Sequence, residues 1–134
     1  MTIEANRKLF ETIFAELSTG NGAPFLAAMA DDFCWSIIGT TSWSRAFRGK
    51  RAVEQDLLRP LLAQFKDRYT NTAERILADG DHVVIQCRGR VTTVRGLPYN
   101  NTYCWVIRMA DGKMRDMTEY CDTALIEAAL APLV

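Results

Sequence analysis

Histidine is almost missing from this chain: His82 is the one in 134 residues. The four cysteines, Cys34, Cys87, Cys104 and Cys121, form no CxxC pair. Together these absences exclude the ligand spacing of a zinc site, and no metal or cofactor is expected. Each cysteine stands in an apolar or strand-like run, where a free thiol behaves as a small hydrophobe. An excess of charge is also lacking: Lys+Arg and Asp+Glu are both 16, so the net charge is zero. With no basic run and no aromatic–basic motif, nucleic acid is not an expected partner. No apolar run approaches the ~20 residues of a membrane span, so a membrane is not expected either. The first ten residues, MTIEANRKLF, lack the apolar core of a signal peptide. A cytoplasmic protein with reduced thiols is the expectation.

What is present is an ordinary globular composition, 49% hydrophobic. The length suits one domain, residues 1–134. Leu9, Phe10, Ile13, Phe14 and Leu17 recur at helical spacing, with Thr2 as cap and Gly20–Asn21–Gly22 as terminator. Pro24 opens a short second helix over 24–30, which Asp31–Asp32 breaks. An aromatic and β-branched strand is expected at 33–38. A loop follows to Gly49, and Trp43 stands in it among Thr41, Ser42, Ser44 and Arg45. Residues 51–65 read as a helix that Pro60 kinks. After Lys66 the period becomes that of strands, at 69–78, 82–95, 99–109 and 113–121. Asp79–Gly80 and Asp111–Gly112 mark hairpin turns. Gly89 is the expected site of a bulge in the second of these strands. A closing helix over 123–130 is capped by Asp122 or Thr123.

Three stretches carry a family resemblance: MADDFCWSIIGTT, FRGKRAV and YNNTYCWVIRMADGKMRDMTEYCDTAL. With the element order, they make the chain resemble the SnoaL-like and ketosteroid-isomerase-like families of the nuclear transport factor 2-like superfamily. The resemblance implies an α+β fold: a cone-shaped, highly curved antiparallel sheet, a cystatin-like roll, with N-terminal helices packed over its concave face. It also implies a homodimer through the convex face, a small-molecule pocket, and no cofactor. Isomerases, cyclases, dehydratases, epoxide hydrolases and pure binding modules share this fold, so function rests on the site.

Glu119 is the first candidate for chemistry. Alternation places Met117, Glu119 and Cys121 on one face of the last strand. An acid buried in apolar company loses hydration, and its pKa rises into the range useful for proton transfer. The stretch MTEYCD resembles the segment that carries the aspartate base in limonene-epoxide-hydrolase-like relatives, with Glu119 at the matching place. The alternative is a surface glutamate paired with an arginine.

Arg88 is the second catalytic candidate. QCRGR resembles the strand carrying an Arg-x-Asp pair in the same relatives; Arg88 matches the arginine, and Arg90 stands where the aspartate would be. Arg88 either holds Glu119 ionised or clamps an anion, or it pairs across strands on the outer face. The steroid-isomerase pattern is not met: Ser36–Gly39 holds no acid, and the first helix has no tyrosine.

The candidate substrate-binding residues are Trp43, Asn100, Asn101, Tyr103, Trp35 and Asp122. Trp43 reads as a lid. One of Asn100 and Asn101 faces inward by alternation, against the alternative of turn chemistry after Pro98. Trp35 and Tyr103 line a pocket or fill a core. Asp122 sits at the pocket end or only caps a helix. The expectation for function is an acid–base enzyme acting on an apolar small molecule. The alternative is a non-catalytic ligand-binding or dimerisation module.

Overall fold

The computed structural model describes residues 2–134. Helix α1, Ile3–Leu17, begins at Thr2, whose hydroxyl accepts from the Ala5 N–H at 3.0 Å. Its apolar stripe buries Phe10, Ile13, Phe14 and Leu17. Helix α2, Ala23–Ala27, has Pro24 in its first turn and is shorter than its sequence suggests. Strand β1, Met29–Ile37, starts at once and runs through Asp31–Asp32, whose side chains are exposed. The second helix therefore ends before the two acids, which lie inside the strand, where the register shifts between Met29 and Cys34 and both face water.

Strand β2, Ala46–Arg48, is a short edge strand absent from the sequence expectation. The helical stretch after it divides into α3, Lys50–Ala52, a π-helical turn, Val53–Leu58, and α4, Arg59–Leu62. Pro60 has no N–H to give the preceding turn, and that turn widens rather than breaking. Strands β3, Thr70–Asp79, β4, His82–Arg90, β5, Thr102–Ala110, and β6, Lys113–Cys121, form the meander. Helix α5, Thr123–Ala129, closes the chain, with the Asp122 carboxylate accepting from the Leu125 N–H at 3.3 Å. Strands β4 and β5 are shorter than expected because 91–99 pairs only through isolated bridges, Thr92 with Pro98 and Thr93 with Phe65. Thr93 is buried there and its hydroxyl takes the Leu97 N–H.

The six strands lie in the order β2-β1-β6-β5-β4-β3, curved and unclosed. All neighbours are antiparallel except β1 and β6, which run parallel. The architecture is the expected α+β roll, with that one parallel pair as a correction to its strand directions. Gly89 carries no bulge. Register shifts fall instead between Ala73 and Arg75, between Arg108 and Met109, and in β1. Inward residues of β4, β5 and β6, such as Ile85, Ile107 and Met117, share one core with Phe10, Ile13 and Phe14 of α1. Among the described residues no helix is long and apolar enough to cross a membrane.

Candidate active site

Pairing across the sheet assembles the site. On β5, alternation turns Tyr103 and Trp105 inward; on β6 it turns Met117 and Glu119 inward. Trp105 stands opposite Glu119 in the antiparallel register, and Ile37 stands opposite Glu119 in the parallel one. Trp105 Nε1 donates to Glu119 Oε1 at 2.9 Å. Among the described residues it is the one donor in hydrogen-bond geometry with that carboxyl. The α2 ring Phe25 stacks on Trp105 at 5.3 Å, and Trp35 meets Trp105 edge-on at 5.9 Å.

These walls enclose a cavity of about 160 Å³. Trp35, Trp43, Phe65, Tyr69, Tyr99 and Tyr103 line it with Glu119, and Leu57, Leu58, Leu61 and Leu62 close its helical side. A cavity of about 150 Å³ suffices for one benzene ring. Among the described residues Glu119 is the lone carboxylic acid on the wall, and no arginine, lysine or histidine lines it. Burial pushes its pKa up from 4.5 to about 7, against the opposing pull of the Trp105 N–H and the smaller pulls of the nearby Cys121 and Trp35 side chains, neither of which is in hydrogen-bond geometry with it. The Trp35 N–H, buried on the same wall, has no hydrogen-bond partner. No ion pair offsets the loss of hydration. A raised value is what separates a pocket acid from a glutamate paired with arginine.

Removal of the largest opposing pull gives a direct check. Trp105→Phe is expected to move the Glu119 midpoint above 7, read by NMR titration of the labelled carboxyl. A midpoint unchanged in the variant would show that the indole does not hold the carboxylate.

Beside the acid stands an array of tyrosine hydroxyls. Tyr69 Oη lies 3.5 Å from Tyr103 Oη and accepts from Asn71 Nδ2 at 3.1 Å. Tyr99 Oη accepts from Asn101 Nδ2 at 3.2 Å. Asn101 Oδ1 is taken by the N–H groups of Thr102 and Asp122, at 2.8 and 3.0 Å, which fixes the orientation of its amide. Tyr99 therefore receives a hydrogen bond and keeps its own proton for another acceptor. Burial raises the pKa of all three phenols. They remain neutral donors across the range in which Glu119 titrates.

The sequence candidates divide. Glu119, Trp35, Trp43 and Tyr103 line the cavity. Trp43 is buried and its Nε1 donates to the Ala131 carbonyl at 3.0 Å, so it is a fixed wall and not a lid. Arg88 lies outside. Its β4 alternation points it to the convex face, where it meets Glu74 at 3.2 Å with both side chains at least half exposed. A pair of that kind contributes little, and it cannot reach Glu119. Arg90 shares that exposed face. Asn100 is exposed and its side chain accepts from the Val91 N–H, the work of a turn. Asn101 is wholly buried, but its amide ties the start of β5 to the end of β6 and orients Tyr99. Asp122 is an exposed helix cap.

Tyr69 and Tyr99 were not singled out from the sequence. The strands expected at 69–78 and 99–109 open on them, but the observed strands begin later, at Thr70 and Thr102, so both tyrosines stand outside the regular alternation. Among the described residues no group of three or more His, Cys, Asp and Glu side chains could hold a metal ion.

A model of the SnoaL-like domain matches residues 10–117. The chain belongs to the SnoaL-like domain family. Its fold is nuclear transport factor 2-like. One similar solved structure is an NTF2-like protein of unknown function from Burkholderia pseudomallei K96243. It is 19% identical, with a TM-score of 0.79, covering 98% of this chain and 100% of that one. Another is a candidate SnoaL-like polyketide cyclase from Jannaschia sp. CCS1, 18% identical with a TM-score of 0.77 over 97% and 94% of the two chains. A third is TerC co-crystallised with polyporic acid, 19% identical with a TM-score of 0.76 over 92% and 96%. Identities this low establish the shared fold alone. No curated protein sequence matches the chain.

Proposed function

We propose that this SnoaL-like protein is a cofactor-free acid–base enzyme acting on an uncharged, apolar small molecule with an ionisable C–H or O–H. The observation that carries the proposal is Glu119: a buried carboxyl, unpaired with any cation, on the wall of an apolar cavity, with a pKa of about 7. Near neutral pH such a group is present in both protonation states, which suits it to take a proton and return it. The ionised form accepts a proton from carbon beside a substrate carbonyl. The charge moves to the carbonyl oxygen, where a tyrosine hydroxyl donates a hydrogen bond to it. Return of the proton to a second carbon completes an isomerisation; return to the oxygen of a leaving hydroxyl completes a dehydration. The polyporic acid of TerC and the cyclase assignment of the Jannaschia protein are consistent with a carbonyl-bearing ligand.

The test is a thermal-shift screen of uncharged single-ring ketones and phenols on wild type and Glu119→Gln, with product analysis of every hit. Ligands that bind the folded state raise its melting temperature by an amount set by concentration over affinity. Hits bound by both and converted by wild type alone support an enzyme. Hits that neither converts point to a carrier, the alternative that the displaced Arg88 favours. No hits at all would sink both.

The same proposal has the protein act as a homodimer in a reducing, cytoplasmic setting. Its four thiols are free. On the convex face Val84, Val106, Thr118 and Ser36 form one row across four strands, half-buried and uncharged. Arg88–Glu74 and Arg108–Asp116 flank that row. Val106→Asp is expected to give a monomer by light scattering. A variant with wild-type mass would place the interface elsewhere.

A further inference from the structure

Two features that weaken a fold converge on one hydroxyl. The first is Gly89, inside β4 and opposite Asn71 in the β3 register. Glycine within a strand loses backbone entropy and packs nothing, so it needs a local reason. Its φ is not among the positive values of the chain, so the backbone does not require it. The reason is space. A Cβ at Gly89 would lie 2.7 Å from Tyr69 Oη, 2.9 Å from Cε1 and 3.1 Å from Cζ, so the phenol ring lies against bare backbone.

The second feature is Asn71. It is wholly buried, and its Oδ1 has no hydrogen-bond partner. A buried amide with an unmet acceptor is costly, and a leucine of similar shape would avoid that cost. Its amide does reach Tyr69 Oη, 3.1 Å from Nδ2, and lies beside the buried Cys87 thiol. Phe65 stacks on the remaining ring face at 5.5 Å. The ring is thus fixed by stacking, its hydroxyl by an amide, and its approach by a missing side chain.

We propose that Gly89 and Asn71 are positioning residues that place the Tyr69 hydroxyl against Tyr103 and so build the donor array of the cavity. The inference rests on the acid–base reading for its purpose, because an array held at such expense to the fold serves a ligand oxygen. It does not rest on that reading for its geometry. Neither residue lines the cavity; each acts through Tyr69.

The test begins without a ligand. The chain has four tyrosines, and Tyr120, half exposed on the outer face, is an internal reference for the three in the cavity. Wild type, Gly89→Ala and Asn71→Leu are prepared with tyrosine labelled at 13Cζ, and signals are assigned with Tyr→Phe variants. Both substitutions are expected to move the Tyr69 and Tyr103 signals and leave Tyr120 in place. Asn71→Leu is also expected to be at least as stable as wild type. Should Gly89→Ala not fold, Asn71→Leu decides the question by itself. Unmoved Tyr69 and Tyr103 signals would overturn the proposal, as would an Asn71→Leu protein that loses stability with Tyr69 undisturbed.

Binding of 4-nitrophenol, followed by its absorbance, is the second readout. Tyr69→Phe, Gly89→Ala and the double variant are each expected to weaken binding by about tenfold, the scale of one good hydrogen bond to the ligand oxygen. Losses that add in the double variant would overturn the proposal, because the glycine would then act independently of Tyr69. If wild type binds neither 4-nitrophenol nor any ketone or phenol of the screen, the acid–base reading is what fails; the tyrosine signals still decide the positioning role.

Discussion

Glu119→Gln is expected to lower turnover of any substrate found in the cavity by about a thousandfold, the middle of the range for loss of a positioned general base. Glutamine keeps the shape and can still accept from Trp105 Nε1 through its carbonyl oxygen. It cannot take a proton. The fold and the ligand affinity are therefore expected to survive. The measurement is steady-state turnover beside direct binding. A rate within threefold of wild type, with binding intact, would show that the proton goes elsewhere. Unfolding of the variant would show that the acid is structural.

Stability should respond to pH in the reverse of the usual carboxylate sense. An ion-paired acid has a depressed pKa and weakens the fold when the pH falls. Glu119 has the opposite shift, from 4.5 to about 7. Between those values the folded protein holds a proton that the unfolded chain has released. Stability from this group is therefore complete below about 4.5, falls as pH rises, and levels off once pH passes about 7. At roughly 1.4 kcal/mol per unit, the loss amounts to about 3 kcal/mol. The other titratable groups facing Glu119 are Tyr69, Tyr99, Tyr103, Cys87 and Cys121. Burial raises the pKa of each, that of Cys121 to about 12, so none of them titrates in this window. Urea unfolding of wild type and Glu119→Gln from pH 4.5 to 8 isolates the effect, since every other group is shared. The difference between the two curves should drift in favour of the variant by as much as about 3 kcal/mol. Parallel curves would mean that Glu119 is not held in its neutral form.

The fold was legible because its signals are local and periodic. The stripe from Phe10 to Leu17, the Asp–Gly turns and the change of period after Lys66 fix most elements, and three quoted stretches fix the family. Glu119 was legible for the same reason, since alternation with Met117 on one strand is a local fact. Arg88 was the opposite case. Its strand was right, but alternation alone gives two faces, and which is concave depends on the register with β5 and on the direction of curvature. Tyr69 and Tyr99 escaped because they were read as strand openings, whereas the observed strands start at Thr70 and Thr102 and the direction of both side chains follows from the preceding turns. The structure explains Gly89 through a ring twenty residues away in sequence, a contact that no local pattern encodes. Trp43 looked like a lid from its polar neighbours; its partner is a carbonyl near the chain's end.

Titration of Glu119 tests the central claim most directly. Protein labelled at the glutamate carboxyl carbon is followed by NMR from pH 4 to 9, with Glu119→Gln to assign the signal. The account predicts a midpoint near 7. A midpoint at or below the ordinary 4.5 would contradict it, and would return Glu119 to the class of solvated or ion-paired surface acids.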